Sequence, residues 1–379
     1  MNLNIEVVGG GPAGLYFAIL MKRHHPGHRI RIWERNPRDN TFGWGVVFSE
    51  KTLEGLHEPD PPTYQALMQA MRSWENVDIV HRNQMLSVAG NRFSGVARIA
   101  MLEALYRRCE ELGIELHFGH DLEHFDELRQ ADLVVGADGV NSRLRQRYRQ
   151  RFQPRLELGR NRYIWFGTPQ PFGGLTLIFR PQGDRLFMAH AYKYSQDLST
   201  FIVEVDETTW SQIRSWPSQQ VPERLARVFA PDLQGQPLLS NRSRWIRFTY
   251  VQNRHWWADN MVLLGDSLHT AHFSIGSGTK LALEDSLALW RAFEEHPRVA
   301  EALPAFEAAR RPPVDRFQTA ALTSQRWFET ARVRMHLEPV PFAYEAMTRS
   351  SRVDDEVLRR KDPAFAARYD RWQAEHGGA

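Results

Sequence analysis

The stretch Asn4-Ile5-Glu6-Val7-Val8-Gly9-Gly10-Gly11-Pro12-Ala13-Gly14 decides the fold. Asn4 to Val8 read as a short buried strand, and Leu15 to His24 continue as a helix with Leu15, Ala18, Ile19 and Lys22 at helical spacing. Strand, Gly9-x-Gly11-x-x-Gly14 and helix, in that order, are the signature of a dinucleotide-binding turn. The first glycine allows the tight turn, the second lets backbone approach a pyrophosphate, and the third lets helix pack on strand. Pro12 and Ala13 lie between the second and third glycines, and the N-terminus of the helix faces the phosphates. A second strand, Arg29 to Trp33, ends in Glu34, twenty residues beyond Gly14. A carboxylate at that distance suits a ribose hydroxyl. The alternative is a plain glycine-rich turn.

The 379 residues leave room for two or three domains. Hydrophobic residues make up 42% and mean hydropathy is −0.49, with no apolar run able to span a bilayer. The N-terminus reads as the first strand of the fold rather than a signal peptide. Cys109 is the one cysteine, so no disulfide, no cysteine cluster and no metal site are expected. It reads as a buried thiol in a reducing, cytoplasmic setting. A formal net charge of +3 does not argue for nucleic acid but suits an anionic small substrate. Neither a membrane nor a nucleic-acid partner is expected.

Further along, Gly43-Trp44-Gly45 before Val46-Val47-Phe48-Ser49 reads either as a loop against something flat or as a tight turn and core strand. Residues 59–63 read as a surface connection, and Tyr64 to Trp74 as a helix. Arg98 to Leu112 reads as a helix with Ile99, Leu102, Leu105, Tyr106 and Cys109 on one side, ending at Gly113. Asp132 to Gly136 is a buried strand followed by Ala137-Asp138-Gly139, so Asp138 lies on the ligand edge of a parallel sheet or closes an Asx turn. The alternating arginines 143 to 151 read as a solvated face or as an anion-binding patch. From residue 155 the pattern changes to strands at Ile164–Gly167, Leu175–Arg180, Leu186–Tyr192, Ser199–Val205 and Arg244–Val251, with residues 208–230 helical. Period-two spacing puts Leu186, Met188, His190 and Tyr192 on one face. Met261 to Leu264 is again a buried strand, ending in Gly265-Asp266. Residues 267–278 form a loop, and Thr279 to Phe293 a helix. Pro312-Pro313 is expected to break the helix after that.

Three stretches stand together: GGGPAG with Glu34, DLVVGADGVNSR at 132–143 and LLGDSLHTAHFSIGSG at 263–278. The combination resembles the group A FAD-dependent aromatic hydroxylases along the whole chain. The segments 39–49, 160–168, 189–192, 199–204, 271–280 and 336–363 look like the salicyloyl-CoA 5-hydroxylases and the hydroxylase part of anthraniloyl-CoA monooxygenases. The violacein-pathway hydroxylases are similar at greater distance. The resemblance implies an α/β fold. A Rossmann-like FAD-binding domain of glutathione-reductase type (1–60, 80–154 and 255–312) would carry an inserted, mainly antiparallel substrate domain (61–79 and 155–254) and a helical C-terminal region (313–379). It also implies that no second, reductase-like domain belongs to this chain.

By that resemblance Glu34 takes the adenosine ribose, and Arg35 and Arg98 lie along the nucleotide. Asp138-Gly139 belongs to the motif linked with FAD and NAD(P)H, and Asp266 contacts the ribityl or pyrophosphate region. Gly276 and Gly278 let the helix from Thr279 point at the flavin N1–C2=O edge. The wider family has Pro where this chain has Ser274, and Asn where it has Lys280. The implied reaction is reduction of bound FAD by transient NADH or NADPH, addition of O2 at flavin C4a, and delivery of electrophilic oxygen from the hydroperoxide to an electron-rich ring. Lys280 either stabilises the anionic flavin or is a surface lysine. His190, Tyr192, His269 or His272 binds the ring hydroxyl or amino group, or each is satisfied in the core. The substrate implied is an aromatic CoA thioester such as salicyloyl-CoA, hydroxylated to gentisyl-CoA. Its carrier would lie against arginines 143–155 or the C-terminal helices, in a monomer or homodimer. The alternatives are a hydroxylase of a free aromatic or indolic metabolite and a non-catalytic flavin-binding partner protein.

Overall fold

The computed structural model describes residues 2–40, 43–121, 128, 130–276, 278–350 and 352–376, with side chains 50–53 set aside; Thr41, Phe42 and Ser277 of the motifs above lie outside these. Strand β1 (Asn4–Val8), helix α1 (Pro12–His24) and β2 (Arg29–Glu34) come first. Next are β3 (Gly45–Ser49), α2 (Glu50–His57), α3 (Pro61–Ala70), β4 (Arg72–Trp74), β5 (Val77–His81), β6 (Gln84–Val88) and β7 (Phe93–Ala97). They lead to α4 (Arg98–Glu111), β8 (Glu115–Phe118), β9 (Leu133–Gly136), α5 (Arg143–Arg147) and α6 (Arg149–Phe152). The middle of the chain is β10 (Pro154–Thr168), β11 (Leu175–Gln182), β12 (Arg185–Lys193), β13 (Ser199–Val205), α7 (Glu207–Ile213), α8 (Val221–Val228), α9 (Ala230–Leu233), β14 (Leu239–Ser240) and β15 (Ile246–Asn253). Then come β16 (Trp257–Ala258), β17 (Met261–Leu263), α10 (Gly278–Glu295), α11 (Val299–Glu329), α12 (Pro339–Thr348), α13 (Asp355–Lys361) and α14 (Pro363–His376).

Runs of buried valine, isoleucine and leucine form the first sheet, ordered β16-β17-β9-β1-β2-β8. All its pairings are parallel except β16–β17. A parallel sheet is covered on both faces, so its strands read as continuous apolar runs. Here α1, α4 and α10 supply Leu15, Phe17, Leu105 and Leu289 to the same core as Ile5, Val7, Val135 and Val262. Because β1, β2, β9 and β17 run the same way, Gly9, Glu34, Asp138 and Asp266 follow their carboxyl ends on one edge of the sheet.

The second sheet runs β14-β10-β13-β12-β11-β5-β6, with β15 also on β10. It is antiparallel except where β11 meets β5. Sheet membership joins Val77–Val88 to this sheet, whereas the reading from sequence ran a boundary at residue 80, through β5. A small third sheet, β3-β7-β4, stands between the two. The fold is therefore α/β, with a mainly antiparallel second sheet and a helical C-terminal region.

Several expectations need correcting. Tyr64–Trp74 is not one helix: α3 starts at Pro61 under an Asp60 cap on Thr63 (3.1 Å) and ends at Ala70. Arg72–Trp74 instead pair with Phe93–Gly95. Asp60 is fully buried between Arg23 and Arg108, so residues 59–63 are not merely a surface link. Ile99 is exposed, outside the buried stripe of α4. Strand β10 begins ten residues before Ile164 because its polar first half gains β15 as partner; Leu156 and Leu158 there are exposed, which hid the alternation. Residues 208–230 are split among α7, a short turn and α8. Most of the arginines from 143 to 151 are exposed, but Arg145 is buried and donates to the Ser267 and Val140 carbonyls at 2.8 and 2.5 Å.

The largest departure is α11, which runs through Pro304, Pro312 and Pro313. Prolines at 312 and 313 have no N–H to give the carbonyls of Ala308 and Ala309. Tertiary packing outweighs that loss: Arg310, Val314, Gln318 and Phe328 are buried, and Gln318 Nε2 donates to the Val251 and Thr270 carbonyls, each at 2.9 Å.

Arg310 completes a buried knot on α10. Asp285 accepts from Arg310 Nε (2.8 Å) and the Gly265 amide (3.2 Å), and pairs with His269 (2.9 Å). Burial by itself would raise the Asp285 carboxyl, but His269 and Arg310 more than offset it and hold it below the usual aspartate range. A depressed folded value means stability present above the unfolded value, about 3.9, and lost as pH falls below it. Replacing Arg310 by Met strands that carboxylate and should cost about 3 kcal/mol or more in urea unfolding at neutral pH. A loss under about 1 kcal/mol would show that the knot is not holding α10 to α11.

Candidate active site

The turn after β1 is built so tightly that two glycines are obligatory. Gly9 has φ +110°, and a Cβ there would lie 2.2 Å from the Ala137 carbonyl oxygen. At Gly14 a Cβ would lie 2.4 Å from the Gly9 carbonyl oxygen. Gly11 differs: a Cβ there would meet nothing within 4 Å, so its face is open. It is also the N-cap of α1, which has Pro12 at the start and no side-chain cap. The first N–H groups of that helix therefore point at open space with the positive end of the helix dipole. Beside them, Glu34 Oε2 accepts from the Gly10 amide (2.8 Å) and Oε1 accepts from the Asn36 amide and side chain (2.8 and 2.6 Å). The carboxylate is thus fixed in place at the end of β2. This donor set and open helix end fit the pyrophosphate and ribose of a dinucleotide.

The other strand ends behave differently. Asp138 Oδ2 accepts from the Arg143 and Leu144 amides at 2.7 and 3.2 Å, closing the turn into α5, and burial pushes its carboxyl up. Gly139 follows with φ +81° and an open face. Asp266, after β17, opens into a large cavity; desolvation raises its carboxyl, partly countered by the Arg98 guanidinium. Arg98 is desolvated in turn and attracted by Asp266, Tyr106 and Glu34, so this one cation links the nucleotide edge to the cavity. Arg35 is exposed and does not line it.

The cavity has a volume of about 450 Å³, within the usual range for small-molecule sites. Gly276 (φ +62°), Gly278, Thr279 and Lys280 form the wall nearest α10. Lys280 is ion-paired with Glu284, which also binds Arg310 at 3.0 Å. The turn Gly43 to Gly45 settles between the two readings it allowed. Gly43 has φ +79°, Trp44 packs over Gly167 of β10, and Gly45 to Val47 lie on the cavity wall.

The far wall is aromatic. Tyr163, Trp165, Tyr192 and Phe273 line it, and Tyr192 donates its hydroxyl to the Gly45 carbonyl at 2.9 Å. Among them lies His190, buried against Phe273 and Phe328, with Nε2 2.9 Å from Glu204 Oε2. Asn161 Nδ2 donates to the other Glu204 oxygen at 2.8 Å. Desolvation would raise the Glu204 carboxyl, but the hydrogen bonds from His190 and Asn161 leave it below the usual range. A carboxylate therefore sits fully buried on the imidazole.

Of the histidines considered from sequence, His190 alone lines the cavity. His269 belongs to the Asp285 knot, and His272 stands behind the wall with Nδ1 2.9 Å from Ser274 Oγ. Burial pulls His272 down to about 4, so it is a neutral hydrogen-bond acceptor for the Ser274 amide. Ser274 Oγ reaches Ser324 Oγ (2.8 Å), and Arg349 donates to Ser324 Oγ and the Ser274 carbonyl (3.0 and 2.7 Å). Arg349 also faces the cavity, and burial pushes its guanidinium down to about 10. Glu204, Asn161 and Arg349 were not singled out from sequence as site residues. All three lie within segments that carry the family resemblance (199–204, 160–168 and 336–363), but nothing in the sequence gave them a role. Among the described residues no cluster of three or more His, Cys, Asp or Glu could hold a metal, and no helix is long and apolar enough to cross a membrane.

Residues 2–321 match the family described as FAD binding domain. Salicyloyl-CoA 5-hydroxylase of Streptomyces sp. is 37% identical over 99% of this chain and 74% of its own. Protodeoxyviolaceinate monooxygenase of Chromobacterium violaceum is 37% identical over 90% of this chain and 92% of its own. The 3-hydroxy-4-methyl-anthranilyl-(aryl-carrier protein) 5-monooxygenase of Streptosporangium sibiricum is 36% identical over 86% and 89%. The solved tetrameric form of 2-methyl-3-hydroxypyridine-5-carboxylic acid oxygenase shares the fold with a TM-score of 0.72 over 93% of this chain and 98% of that one, at 20% identity. Matched over most of its length and carrying the open helix end and fixed Glu34 that the cofactor requires, the chain belongs to the FAD-binding aromatic hydroxylase family and is a flavin-dependent monooxygenase.

Proposed function

We propose that the enzyme uses NADH or NADPH and O2 to hydroxylate the ring of an aromatic thioester such as salicyloyl-CoA. Bound FAD supplies the redox chemistry, accepting reducing equivalents from the nicotinamide and activating O2. This chain's residues hold, orient and desolvate. The open start of α1 at Gly11, Pro12, Ala13 and Gly14 takes the pyrophosphate, and Glu34 takes the ribose. Arg98 and Asp266 meet the middle of the cofactor where the nucleotide edge joins the cavity. Gly276 and Gly278 leave room for the flavin ring, and the start of α10 favours negative charge beside it. Lys280, being paired with Glu284, adds to that field only in part. The first sheet with its helices serves the cofactor, and the second sheet carries the substrate.

The Glu204–His190 pair on the aromatic wall carries this reading. With Glu204 ionised and His190 Nε2–H donating to it, Nδ1 is the nitrogen left to accept a proton from a ring hydroxyl or amino group. Taking that proton makes the ring richer in electrons, as attack by an electrophilic oxygen requires. Two of the relatives support the thioester: their names specify a salicyloyl-CoA and an aryl-carrier-protein substrate. The violacein-pathway relative favours a second reading, a free indolic metabolite in the same chamber.

Two outcomes are expected. Gly11→Leu should fold with the melting temperature of flavin-stripped wild-type protein but purify without flavin, because its side chain enters the space meant for the pyrophosphate. Yellow, FAD-loaded Gly11→Leu protein would contradict the placement. Second, NAD(P)H consumption should rise with salicyloyl-CoA or anthraniloyl-CoA with little peroxide released, and not with the free acids. His190→Ala and Glu204→Gln should lower coupled turnover by about a hundredfold. Full coupled turnover in either variant would remove the pair from the mechanism, and stimulation by indolic compounds alone would favour the second reading.

A further inference from the structure

The cavity does not close beyond the aromatic wall. Val77, Phe93, Leu175, Met347 and Val353 also line it, and Arg92, Arg352 and Lys361 on its rim are its exposed cations. Two segments far apart in sequence build this rim and are tied together. The Ala89 amide donates to Asp362 Oδ2 at 2.7 Å, and Lys361 Nζ donates to Asn91 Oδ1 at 2.9 Å. Arg352 makes no hydrogen bond or ion pair among the described residues; its guanidinium rests over the Phe317 ring at 4.7 Å. Of the acids nearby, Glu284 is engaged by Lys280 and Arg310, whereas Glu75 pairs with the rim's own Arg92 at 2.9 Å, so Arg352 and Lys361 are the rim cations with no carboxylate partner among the described residues. Desolvation, then the charges of Arg352 and Arg360, disfavour the cationic form of Lys361, which marks a local excess of positive charge. No residue of 143–152 lines this cavity.

A hydrogen-bonded carboxylate–imidazole, an apolar lining and a group of exposed cations in one cavity describe a ligand with a ring, an arm and an anion. We propose that Arg92, Arg352 and Lys361 bind the phosphate of a phosphopantetheine arm whose thioester places the aromatic ring at His190. This rests on the thioester reading and deepens it by locating the carrier. Coenzyme A and a carrier-protein prosthetic group share that phosphate, and arginine suits it through paired N–H donors. The sequence allowed either arginines 143–155 or the C-terminal helices for this role, and the rim favours the helices.

Calorimetric titration of FAD-loaded enzyme with coenzyme A, phosphopantetheine and pantetheine tests the rim without turnover. Both phosphorylated ligands should bind at least about tenfold more tightly than pantetheine, with the advantage shrinking as salt is added. Arg352→Ala/Lys361→Ala should lose that advantage; both side chains are exposed, and the Gln/Gln pair guards against a packing artefact. Arg151→Ala, outside the cavity, should retain it. Phosphopantetheine matching coenzyme A would identify the arm phosphate as sufficient, so that a carrier protein also fits. Weaker phosphopantetheine that still beats pantetheine would make coenzyme A, with its further phosphates, the preferred source. Equal affinity for pantetheine and coenzyme A, no binding of coenzyme A, or unchanged affinity in the double variant would overturn the proposal. Turnover with salicyloyl-CoA separates the two levels. Stimulation with the same KM in the double variant leaves the thioester reading and removes the rim. Coenzyme A binding that depends on the rim, with no thioester turned over, keeps the anion site and removes the thioester reading.

Discussion

Helix α1 begins with no side chain on its N-cap, at an edge where five parallel strands come to an end. N–H groups free at a helix start are met by water, a side chain or an anion, and an anion gains most from the helix dipole. Here Gly9 and Gly14 force the arrangement, since a Cβ at either would lie within 2.5 Å of a backbone oxygen. The remaining features of the edge answer to that positive helix end. Glu34 is held by three N–H donors, where a ribose would lie next to the phosphates. Asp138 is spent on the turn into α5, and Asp266 is drawn towards Arg98.

The same edge explains why the cofactor half was legible. Each feature is local: a strand, a glycine or aspartate turn, and a helix within about twenty residues. The ring chamber is not local. Glu204 acts on His190 from the neighbouring strand β13, and Arg349 grips Ser274 across 75 residues of chain. Neither partner carries a motif of its own. Pro312 and Pro313 misled for a related reason: their local cost is real, but Gln318 and Arg310 fix the helix through contacts that propensity does not contain.

His269 is the plainest case of a right residue type in a different place. Its loop lies close to the cavity, yet Asp285 turns it inwards, where it helps fix α10 to the end of β17. The loop before α10 is thus held at two points, by Asp285 near its start and by Arg349 at Ser274. Asp266 lies between these anchors and Gly276 just beyond the second, and both line the cavity. A loop anchored in this way suits chemistry that requires water to be kept away from the cofactor while the ring is positioned.

On the proposed reading, this protein places an oxygen atom from O2 on an aromatic ring carried as a thioester. The most direct measurement is mass analysis of the thioester product after turnover with salicyloyl-CoA under O2 enriched in the heavy oxygen isotope. The account predicts a hydroxylated thioester that has gained a single labelled oxygen on the ring. Unchanged salicyloyl-CoA, or a product whose new oxygen comes from water, would contradict it.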